Sequence, residues 1–386
     1  MEMKTLQYIQ NKGWKNNVFP DMDSDKTLIL VFAAPEFIEN SCSITELSQR
    51  YPHSKMIGCS SAGEIFGSSI VDNSLSIALI KFEQTPLKIV KTEIRDTEDS
   101  FAAGERIAKA LDKKDLTGIF VLSPGLNVNG SELVKGLNTV ENKSIVITGG
   151  LAGDGKRFKK TWSIYNGELH THNVVAVGFY GDAIKIGHAS KGGWDIFGPE
   201  RRITNSKDNI LYELDERPAL ELYKEYLGDR ASGLPATGLL FPLAIRKDTD
   251  DAKQLVRTIL AVDEKDQSLT FAGDVPTGYL AQLMRANFDR LVSSASAAGE
   301  TALETMNDQG NNSHNDNPVL AVGVSCVGRR LLLGERTEEE TESMLEMLPK
   351  GTRQVGFYSY GELSPYTKGT CDLHNQTMTL TTFYEN

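Results

Sequence analysis

A short sequence motif occurs twice in this chain, once near each end. Residues 57–65 read Ile-Gly-Cys-Ser-Ser-Ala-Gly-Glu-Ile, and residues 355–363 read Val-Gly-Phe-Tyr-Ser-Tyr-Gly-Glu-Leu. Aligned at Gly58 and Gly356, the two copies share Gly, Ser, Gly and Glu, and each ends on a branched aliphatic residue. A motif that is repeated near both ends of a chain indicates that the fold uses one local structure more than once.

A looser third copy lies between these two. Residues 147–155 read Ile-Thr-Gly-Gly-Leu-Ala-Gly-Asp-Gly, which places Gly153 and Asp154 where the other copies have Gly-Glu. Each copy therefore ends in an acidic turn residue, namely Glu64, Asp154 or Glu362. We expect both the fold and the binding site to be built around these Gly-acid turns.

Each copy of the motif lies at the end of a segment whose pattern predicts a strand, a helix and a second strand. The first strands are the apolar runs Leu28–Phe32, Gly118–Leu122 and Val319–Val324, which are typical of strands buried on both faces. The simplest interpretation is a β-α-β-turn-β unit that the chain uses three times. We therefore predict an α/β fold with two domains, each built on mixed sheets with helices packed on them.

The segment between the second and third copies has a different pattern. Residues 215–227 predict an amphipathic helix, and residues 254–263 and 268–272 predict two strands around a charged turn. Apolar residues at helical spacing predict one long helix over Thr277–Met306. The change of pattern places the best domain boundary near Ser206–Glu216.

Charge and hydropathy exclude several kinds of partner. The net charge of -11 leaves no basic excess to neutralise the phosphates of nucleic acid or of an anionic membrane. The longest apolar runs are too short to span a bilayer, so we expect no membrane insertion. The first ten residues lack the apolar core of a signal peptide, so we expect a cytoplasmic location.

Motifs that would mark an enzyme or a metal finger are missing from the sequence. It contains no Cys-x-x-Cys pair, no His-Glu-x-x-His and no nucleophile elbow. Residues 150–157 nearly fit a P-loop, but Arg157 replaces the hydroxyl that would hold magnesium, and the following residues resemble an irregular hairpin. We expect a protein without catalytic activity, and an enzyme acting through the glycine turns remains a further hypothesis.

Two histidines are candidates for a single axial ligand to haem iron. His188 ends an alternating strand and precedes a glycine pair beside Trp194, which we count among the candidate ligand-binding residues. A buried, hydrogen-bonded histidine is the alternative interpretation, but His188 is the best haem-ligand candidate in the chain. His374, on the terminal strand, is the second candidate.

The acidic turn residues Glu64, Asp154 and Glu362 have two open interpretations. Each carboxylate could simply accept hydrogen bonds from local backbone amides. Alternatively, the three could line a crevice at the carboxyl ends of parallel strands, where α/β sheets bind ligands. There they would receive the ammonium group of an amino acid or of another small amine.

Six segments together resemble the FIST family (F-box and intracellular signal transduction). They are Ile57–Ile65, Gly149–Gly155, Gly192–Pro199, Arg217–Gly228, Ser325–Arg330 and Gly356–Leu363. The resemblance places a FIST N domain at residues 27–215 and a FIST C domain at residues 216–365, with a closing strand that extends to residue 386.

The resemblance implies a bacterial sensory protein that regulates a partner histidine kinase or cyclic-di-GMP signalling enzyme. Some stand-alone members of the family bind haem and sense nitric oxide, which implies haem b as the cofactor here, with His188 as the iron ligand. The alternative is a metal-free sensor of amino acids or other small molecules. Glu64, Gly153, Asp154, Trp194 and Glu362 are the residues that we expect to bind the ligand.

Overall fold

The computed structural model describes residues 1–15, 18–142, 144–251, 253–308, 317–366 and 369–386. The strands are β1 (Glu2–Ile9), β2 (Gly13–Trp14), β3 (Thr27–Ala33), β4 (Lys55–Ser60), β5 (Glu64–Phe66), β6 (Ser69–Ile70), β7 (Ser74–Lys81), β8 (Leu87–Glu93), β9 (Leu116–Ser123), β10 (Val146–Leu151), β11 (Ser163–Tyr165), β12 (Glu168–His170), β13 (Asn173–Tyr180), β14 (Ile184–Lys191), β15 (Asp195–Lys207), β16 (Ile210–Leu214), β17 (Arg217–Pro218), β18 (Leu243–Arg246), β19 (Leu255–Arg257), β20 (Ile259–Asp263), β21 (Ser268–Phe271), β22 (Leu280–Arg285), β23 (Leu320–Cys326), β24 (Arg353–Ser359), β25 (Gly361–Pro365), β26 (Cys371–His374) and β27 (Met378–Glu385). The α-helices are α1 (Cys42–Arg50), α2 (Ser100–Leu111), α3 (Gly130–Leu137), α4 (Ala219–Leu227), α5 (Phe288–Asn307), α6 (Val327–Leu333) and α7 (Thr337–Glu346).

Three units of the same topology make up most of the fold. Unit 1 spans residues 2–81, unit 2 spans residues 87–180, and unit 3 combines residues 184–191 with residues 288–385. Each unit has a pair of parallel strands that are connected by a helical segment. The pairs are β3–β4 in unit 1, β9–β10 in unit 2 and β23–β24 in unit 3. In each, the last strand pairs antiparallel with the first, as in β1–β7, β8–β13 and β14–β27. The predicted α/β fold with a repeated β-α-β-turn-β unit is confirmed.

Each unit gives one strand hairpin to the sheet of a neighbouring unit. The hairpin β5–β6 of unit 1 pairs with β24 of unit 3, β11–β12 of unit 2 pairs with β4 of unit 1, and β25–β26 of unit 3 pairs with β10 of unit 2. The exchange closes a ring, so no unit completes its sheet alone. Strand pairing therefore crosses the division between residues 215 and 216 that the sequence suggested.

Three strand glycines let the parallel strands approach closely. Gly58, Gly149 and Gly356 occupy the same register in β4, β10 and β24. A Cβ added at these positions would lie 2.2, 1.8 and 1.9 Å from a carbonyl oxygen of the neighbouring parallel strand. Because no side chain fits there, glycine is required in all three copies of the repeat.

The strand register corrects the alignment of the third copy. Glu64 lies opposite the residue after Gly356, and Glu362 lies opposite the residue after Gly149. In unit 2 the corresponding residue is Ser163, which lies opposite Cys59, directly after Gly58. The prediction that Asp154 matches the two glutamates was therefore wrong, because residues 154–162 form an additional loop before β11.

A ring of backbone hydrogen bonds joins the three units where their turns meet. The donors are the equivalent amides of Ala62, Gly153 and Tyr360, and each bonds a carbonyl of the unit that receives its hairpin. The three donor–acceptor pairs are Ala62 to Tyr358 (2.8 Å), Gly153 to Ser60 (3.1 Å) and Tyr360 to Leu151 (3.0 Å). Gly153 thus corresponds to Ala62 and Tyr360 and not to the turn glycines.

An antiparallel sheet domain, residues 195–285, is inserted into unit 3 between β14 and α5. The long helix predicted over Thr277–Met306 was wrong in its first part, because Leu280–Arg285 is the strand β22, paired on both sides with β15 and β18. The helix α5 starts at Phe288, where the Asn287 side chain caps it by accepting a hydrogen bond from the Arg290 amide. Apolar residues at helical spacing were misleading there because β22 buries Ala281 and Leu283 by alternation.

No helix within the described residues is both long and apolar enough to cross a membrane.

Candidate functional site

A cavity of about 430 Å³ lies where unit 2, unit 3 and the inserted domain meet. Its walls include the turn after β9, the last residue of β10, the turn after β23 and the residue after β24. These are the carboxyl ends of parallel strands, which is where the sequence predicted a ligand crevice. The inserted domain contributes lining residues between positions 208 and 273.

Unit 3 contributes the turn Cys326–Gly328 to the cavity wall. Cys326 ends β23 and α6 begins at the next residue. Burial raises the pKa of the Cys326 thiol above its usual range, outweighing the backbone N–H groups of Gln376 and Gly328 that would stabilise a thiolate. The thiol is therefore neutral near pH 7, and the turn presents a small, weakly polar surface to the cavity.

Unit 2 contributes the first turn of α3. The Asn129 side chain caps this helix by accepting hydrogen bonds from the amides of Ser131 (3.0 Å) and Glu132 (3.2 Å). The other end of its carboxamide donates to Asp274 of the inserted domain at 3.1 Å. Lys135 also contacts Asp274, at 3.2 Å, so α3 is bonded to the domain that forms another wall of the cavity.

Tyr360 and Phe158 form an aromatic pair on another side of the cavity. Their rings are stacked, with centroids 4.5 Å apart and planes 11° from parallel. The Tyr360 hydroxyl donates a hydrogen bond to the Asp154 carboxylate. Burial would raise the pKa of Asp154, but this hydroxyl and the amides of Lys160, Lys159 and Phe158 outweigh burial and hold the pKa below its usual range.

The inserted domain contributes a buried hydroxyl without a partner. Thr258 lines the cavity and is only 4% exposed, and its Oγ1 makes no hydrogen bond among the described residues. Its neighbour Arg257 is buried, which lowers the pKa of its guanidinium to about 10, and it donates hydrogen bonds to the Asp274 and Leu373 carbonyls. An unpaired buried hydroxyl costs free energy of folding, which a bound polar group would recover.

Acidic side chains dominate the charged part of the lining. Glu98, Glu132 and Asp208 border the cavity, and of the described residues that line it none is Lys, Arg or His. The remaining wall is mostly apolar, with Leu126, Leu260 and other aliphatic or aromatic side chains. The cavity therefore suits a small molecule with an apolar body and a neutral or positively charged polar group.

Glu64 and Glu362 are placed in the core and not in the cavity. Their exposed fractions are 1% and 0%. Glu64 accepts a hydrogen bond from the Ser74 amide at 3.1 Å, and Glu362 accepts from the Ser359 hydroxyl at 2.6 Å and the Thr377 hydroxyl at 2.9 Å. Burial raises the pKa of each carboxyl to about 8. Local hydrogen bonding accounts for both residues.

Gly153 and Trp194 also lie away from the cavity lining. Gly153 sits in the ring of turn hydrogen bonds, and its Cα faces Ala62, whose Cβ would be 2.9 Å from an added Cβ. Trp194 is buried between the inserted domain and unit 3, and its Nε1 donates to the Gln376 carbonyl at 2.8 Å. Of the predicted ligand-binding residues, Asp154 alone is brought to the site, and it acts through Tyr360 and the Phe158 amide.

His188 and His374 are buried side chains outside the cavity lining. His188 is 6% exposed, and burial together with the charge of His374 lowers its pKa to about 4. The Nε2 of His374 lies 2.9 Å from the Ser364 carbonyl, and burial lowers its pKa to about 4. Neither imidazole lines this cavity, so His188 would not be the iron ligand of a haem bound in it.

The P-loop-like residues 150–157 do not form a phosphate site. The amides of Phe158, Lys159 and Lys160 converge on the Asp154 carboxylate at 2.9 Å each. The chain therefore supplies its own anion to the amides that would otherwise face a phosphate. The irregular hairpin predicted after this segment is present as β11–β12.

The sequence interpretation missed Tyr360, Phe158, Thr258, Asn129 and the Cys326–Gly328 turn. The sequence did carry a signal for two of these residues. Asn129 follows the first parallel strand of unit 2, and Cys326 ends the first parallel strand of unit 3. Tyr360 could also have been noticed in the sequence, because the equivalent residues Ala62 and Gly153 are small. Thr258 carried no signal, because it lies in the inserted domain and the other cavity walls come from units 2 and 3, which are distant in the chain.

Two family models match almost the whole chain. The FIST N domain matches residues 27–217, and the FIST C domain matches residues 219–365.

The chain is similar to the uncharacterized protein MJ1623 of Methanocaldococcus jannaschii, with 22% identity over 340 residues. The match covers 82% of this chain and 62% of that protein, so the chain spans less than two thirds of its relative's length. A crystal structure of chorismatase aligns over 99% of this chain and 98% of its own, at 7% identity and a TM-score of 0.36. A TM-score this low supports no inference about activity.

Proposed function

The chain belongs to the FIST family of signal-transduction sensors, and we propose that it binds a small amine-bearing molecule, such as an amino acid, in the cavity between units 2 and 3. In this proposal the cavity binds and releases its ligand without a catalytic step. Its occupancy would regulate a partner signalling enzyme, either a histidine kinase or a cyclic-di-GMP enzyme.

The unpaired hydroxyl of Thr258 is the observation that carries the proposal. A folded protein pairs the large majority of its buried polar side-chain atoms, so an unpaired one in a cavity wall marks a place where a ligand would bond. Thr258 lies in the inserted domain, and the remaining walls of the cavity come from two units of the core. A ligand bonded to it would therefore contact all three parts of the fold.

The charge of the lining favours a ligand with an amine. Glu98 and Asp208 give the cavity a negative potential, whereas Glu132 is paired with Lys135, and none of the described lining residues is itself basic. The stacked rings of Phe158 and Tyr360 present π-systems that attract a cation. An ammonium group gains from both features, whereas a dicarboxylate or a phosphate would be repelled.

A matched pair of threonine variants tests the proposal. Thr258→Val removes the unpaired hydroxyl at constant shape, so we expect unchanged or slightly higher stability of the free protein and at least tenfold weaker ligand binding. Thr381→Val is the control, because Thr381 also has a buried, unpaired Oγ1 but lies outside the cavity lining. The measurement is thermal shift against a panel of amino acids and amines, followed by calorimetric titration of each hit.

The outcomes separate binding at the cavity from binding elsewhere. A panel in which no compound produces a saturable shift would contradict the proposal. A hit whose affinity is the same in Thr258→Val and wild type would place its site away from this cavity.

A further inference from the structure

We propose that the exposed segment Lys156–Lys160, here called the basic loop, is a docking surface for an acidic segment of a partner protein. Its sequence is Lys-Arg-Phe-Lys-Lys, and all five residues are exposed. The docking surface stands independently of the ligand, whereas its coupling to the cavity rests on the proposed function.

The charge of the basic loop contrasts with that of the whole chain. Four of its five residues are cationic in a protein whose net charge is -11. Arg157 is engaged with Glu36, but none of the ion pairs found within the described ranges involves Lys156, Lys159 or Lys160. These three ammonium groups are therefore available to a carboxylate-bearing partner.

The backbone of the basic loop is held in a defined shape. The Asp154 carboxylate accepts the amides of Phe158, Lys159 and Lys160, and the Arg157 Nε donates to the Asp154 carbonyl at 2.6 Å. Phe158 has a φ of 50°, which is rare for an aromatic residue and is maintained here by these bonds and by its stacking on Tyr360. A preorganised loop loses less entropy on binding than a flexible one.

Phe158 gives the basic loop an apolar anchor. Its side chain is 49% exposed, although one face of the ring is covered by Tyr360. Aromatic residues are enriched at the centres of protein interfaces, and polar or charged residues form the rim, which is how Phe158 and the lysines around it would be used. The combination fits a short segment that offers Asp or Glu side chains beside an apolar residue.

Electrostatics favours an acidic protein segment over a longer polyanion. The loop's charges act over about 8 Å at physiological salt, and a short acidic segment stays within that range. Nucleic acid or an anionic bilayer would extend past the loop onto a surface whose net charge is strongly negative, which costs repulsion. The basic loop is therefore suited to a local contact.

The basic loop is physically connected to the ligand cavity. Phe158 lines the cavity and also belongs to the loop, and Tyr360 lines the cavity and bonds Asp154, which orders the loop. A ligand that contacts these rings would change the free energy of the loop conformation that the partner binds. By linkage, the partner would then change the ligand's affinity by the same factor.

A random peptide library provides the test. We expect 12-residue peptides selected on the intact protein without ligand to be enriched in Asp and Glu. One selected peptide, labelled for fluorescence anisotropy, should bind Lys159→Glu/Lys160→Glu at least tenfold more weakly than wild type. Phe158→Asn, which tolerates a positive φ but lacks the ring, should also weaken binding.

Charge reversal at another lysine pair controls for general electrostatics. Lys113 and Lys114 are adjacent and exposed, so Lys113→Glu/Lys114→Glu makes the same change in net charge away from the basic loop. Equal weakening by both double variants, or selected peptides without acidic enrichment, would overturn the proposal. Tighter lysine-dependent binding of an oligo(dT) strand or of phosphatidylserine vesicles would overturn the assignment to a protein partner.

Discussion

The hydroxyl of Tyr360 donates a hydrogen bond to the carboxylate of Asp154, and this bond joins unit 3 to unit 2 at the edge of the cavity. Asp154 uses its remaining capacity to accept three consecutive amides of the following loop. The pair therefore orders one wall of the candidate site. It also explains a Gly-Asp turn that the sequence alone had assigned to ligand binding.

Tyr360→Phe is expected to loosen this loop. The variant keeps the ring stacked on Phe158 but removes a hydrogen bond to a charged group, at a cost of about 1.5–3 kcal/mol. Hydrogen exchange should show faster exchange of the Phe158–Lys160 amides, and urea unfolding should show the lower stability.

Tyr180→Phe is the matched control for Tyr360→Phe. The Tyr180 hydroxyl donates to the Leu111 carbonyl at 2.8 Å, away from the site. This variant should lower global stability without selective exchange in the loop. Similar exchange of the loop amides in both variants would contradict an ordering role for Tyr360.

The stability of the protein is expected to fall as pH rises from about 6.5 to about 8, because below 6.5 the lowered pKa values of the buried His188 and His374 oppose the effect of Glu64 and Glu362. Burial raises the folded-state pKa of both Glu64 and Glu362 to about 8, above the unfolded value of 4.5. Between these values the folded state holds protons that the unfolded state has released, so this contribution is complete below pH 4.5 and is lost as pH rises to about 8. Each unit of pKa difference corresponds to about 1.4 kcal/mol.

Glu362→Gln should remove its share of this pH dependence. The amide does not ionise, so urea unfolding of the variant should lose less stability between pH 6 and pH 9 than wild type. The exposed Glu105 offers a control in Glu105→Gln, which should leave the slope unchanged. A wild-type profile that is flat, or that rises over this range, would contradict the assignment.

Arg329→Met is expected to destabilise the protein by about 3–5 kcal/mol. Arg329 and Glu340 form an ion pair at 2.7 Å with both side chains at 0% exposure, and Arg329 also donates to the Leu291 carbonyl at 2.8 Å. The single variant leaves a buried carboxylate without its cation. Arg329→Met/Glu340→Met should therefore be less destabilised than the sum of the two single variants, by urea unfolding; additive losses would argue against a direct coupling.

Gly153→Ala is expected to cost about 1–3 kcal/mol through overpacking. Its Cβ would lie 2.9 Å from the Ala62 Cβ and 3.2 Å from the Tyr358 carbonyl oxygen. Ala62→Gly/Gly153→Ala removes the nearest clash, so thermal unfolding should show a partial rescue relative to Gly153→Ala. No rescue would mean that the two turns do not meet as the ring of hydrogen bonds requires.

Haem binding through His188 stays a prediction, and absorbance spectroscopy after haem addition tests it. The metal-free proposal predicts no Soret band that depends on either side chain, because His188 and His374 lie outside the cavity lining. The comparison is wild type, His188→Ala and His374→Ala. A Soret band lost in His188→Ala and kept in His374→Ala would contradict the metal-free function proposed above.

Much of the fold was predictable because its signals are local. The apolar runs of β3, β9 and β23 mark buried strands without knowledge of their neighbours. The strand β22 was not predictable in this way, because its helical spacing was overridden by pairing with β15 and β18. The roles of Glu64 and Glu362 also depended on packing, since the same Gly-Glu turn can face solvent or be enclosed by a second strand.

The repeated unit and the glycines that it requires could be predicted from the amino-acid sequence alone. Gly58 and Gly356 are fixed by contact with an adjacent parallel strand, and that contact recurs wherever the unit recurs. Which strand ends converge depends on long-range packing, because the hairpins are exchanged between units and another domain is inserted within unit 3. The cavity joins Asn129, Thr258, Cys326 and Tyr360, whose distances along the chain carry no information about their contact in space. Strand pairing between distant segments, and not local preference, places these four side chains around one site.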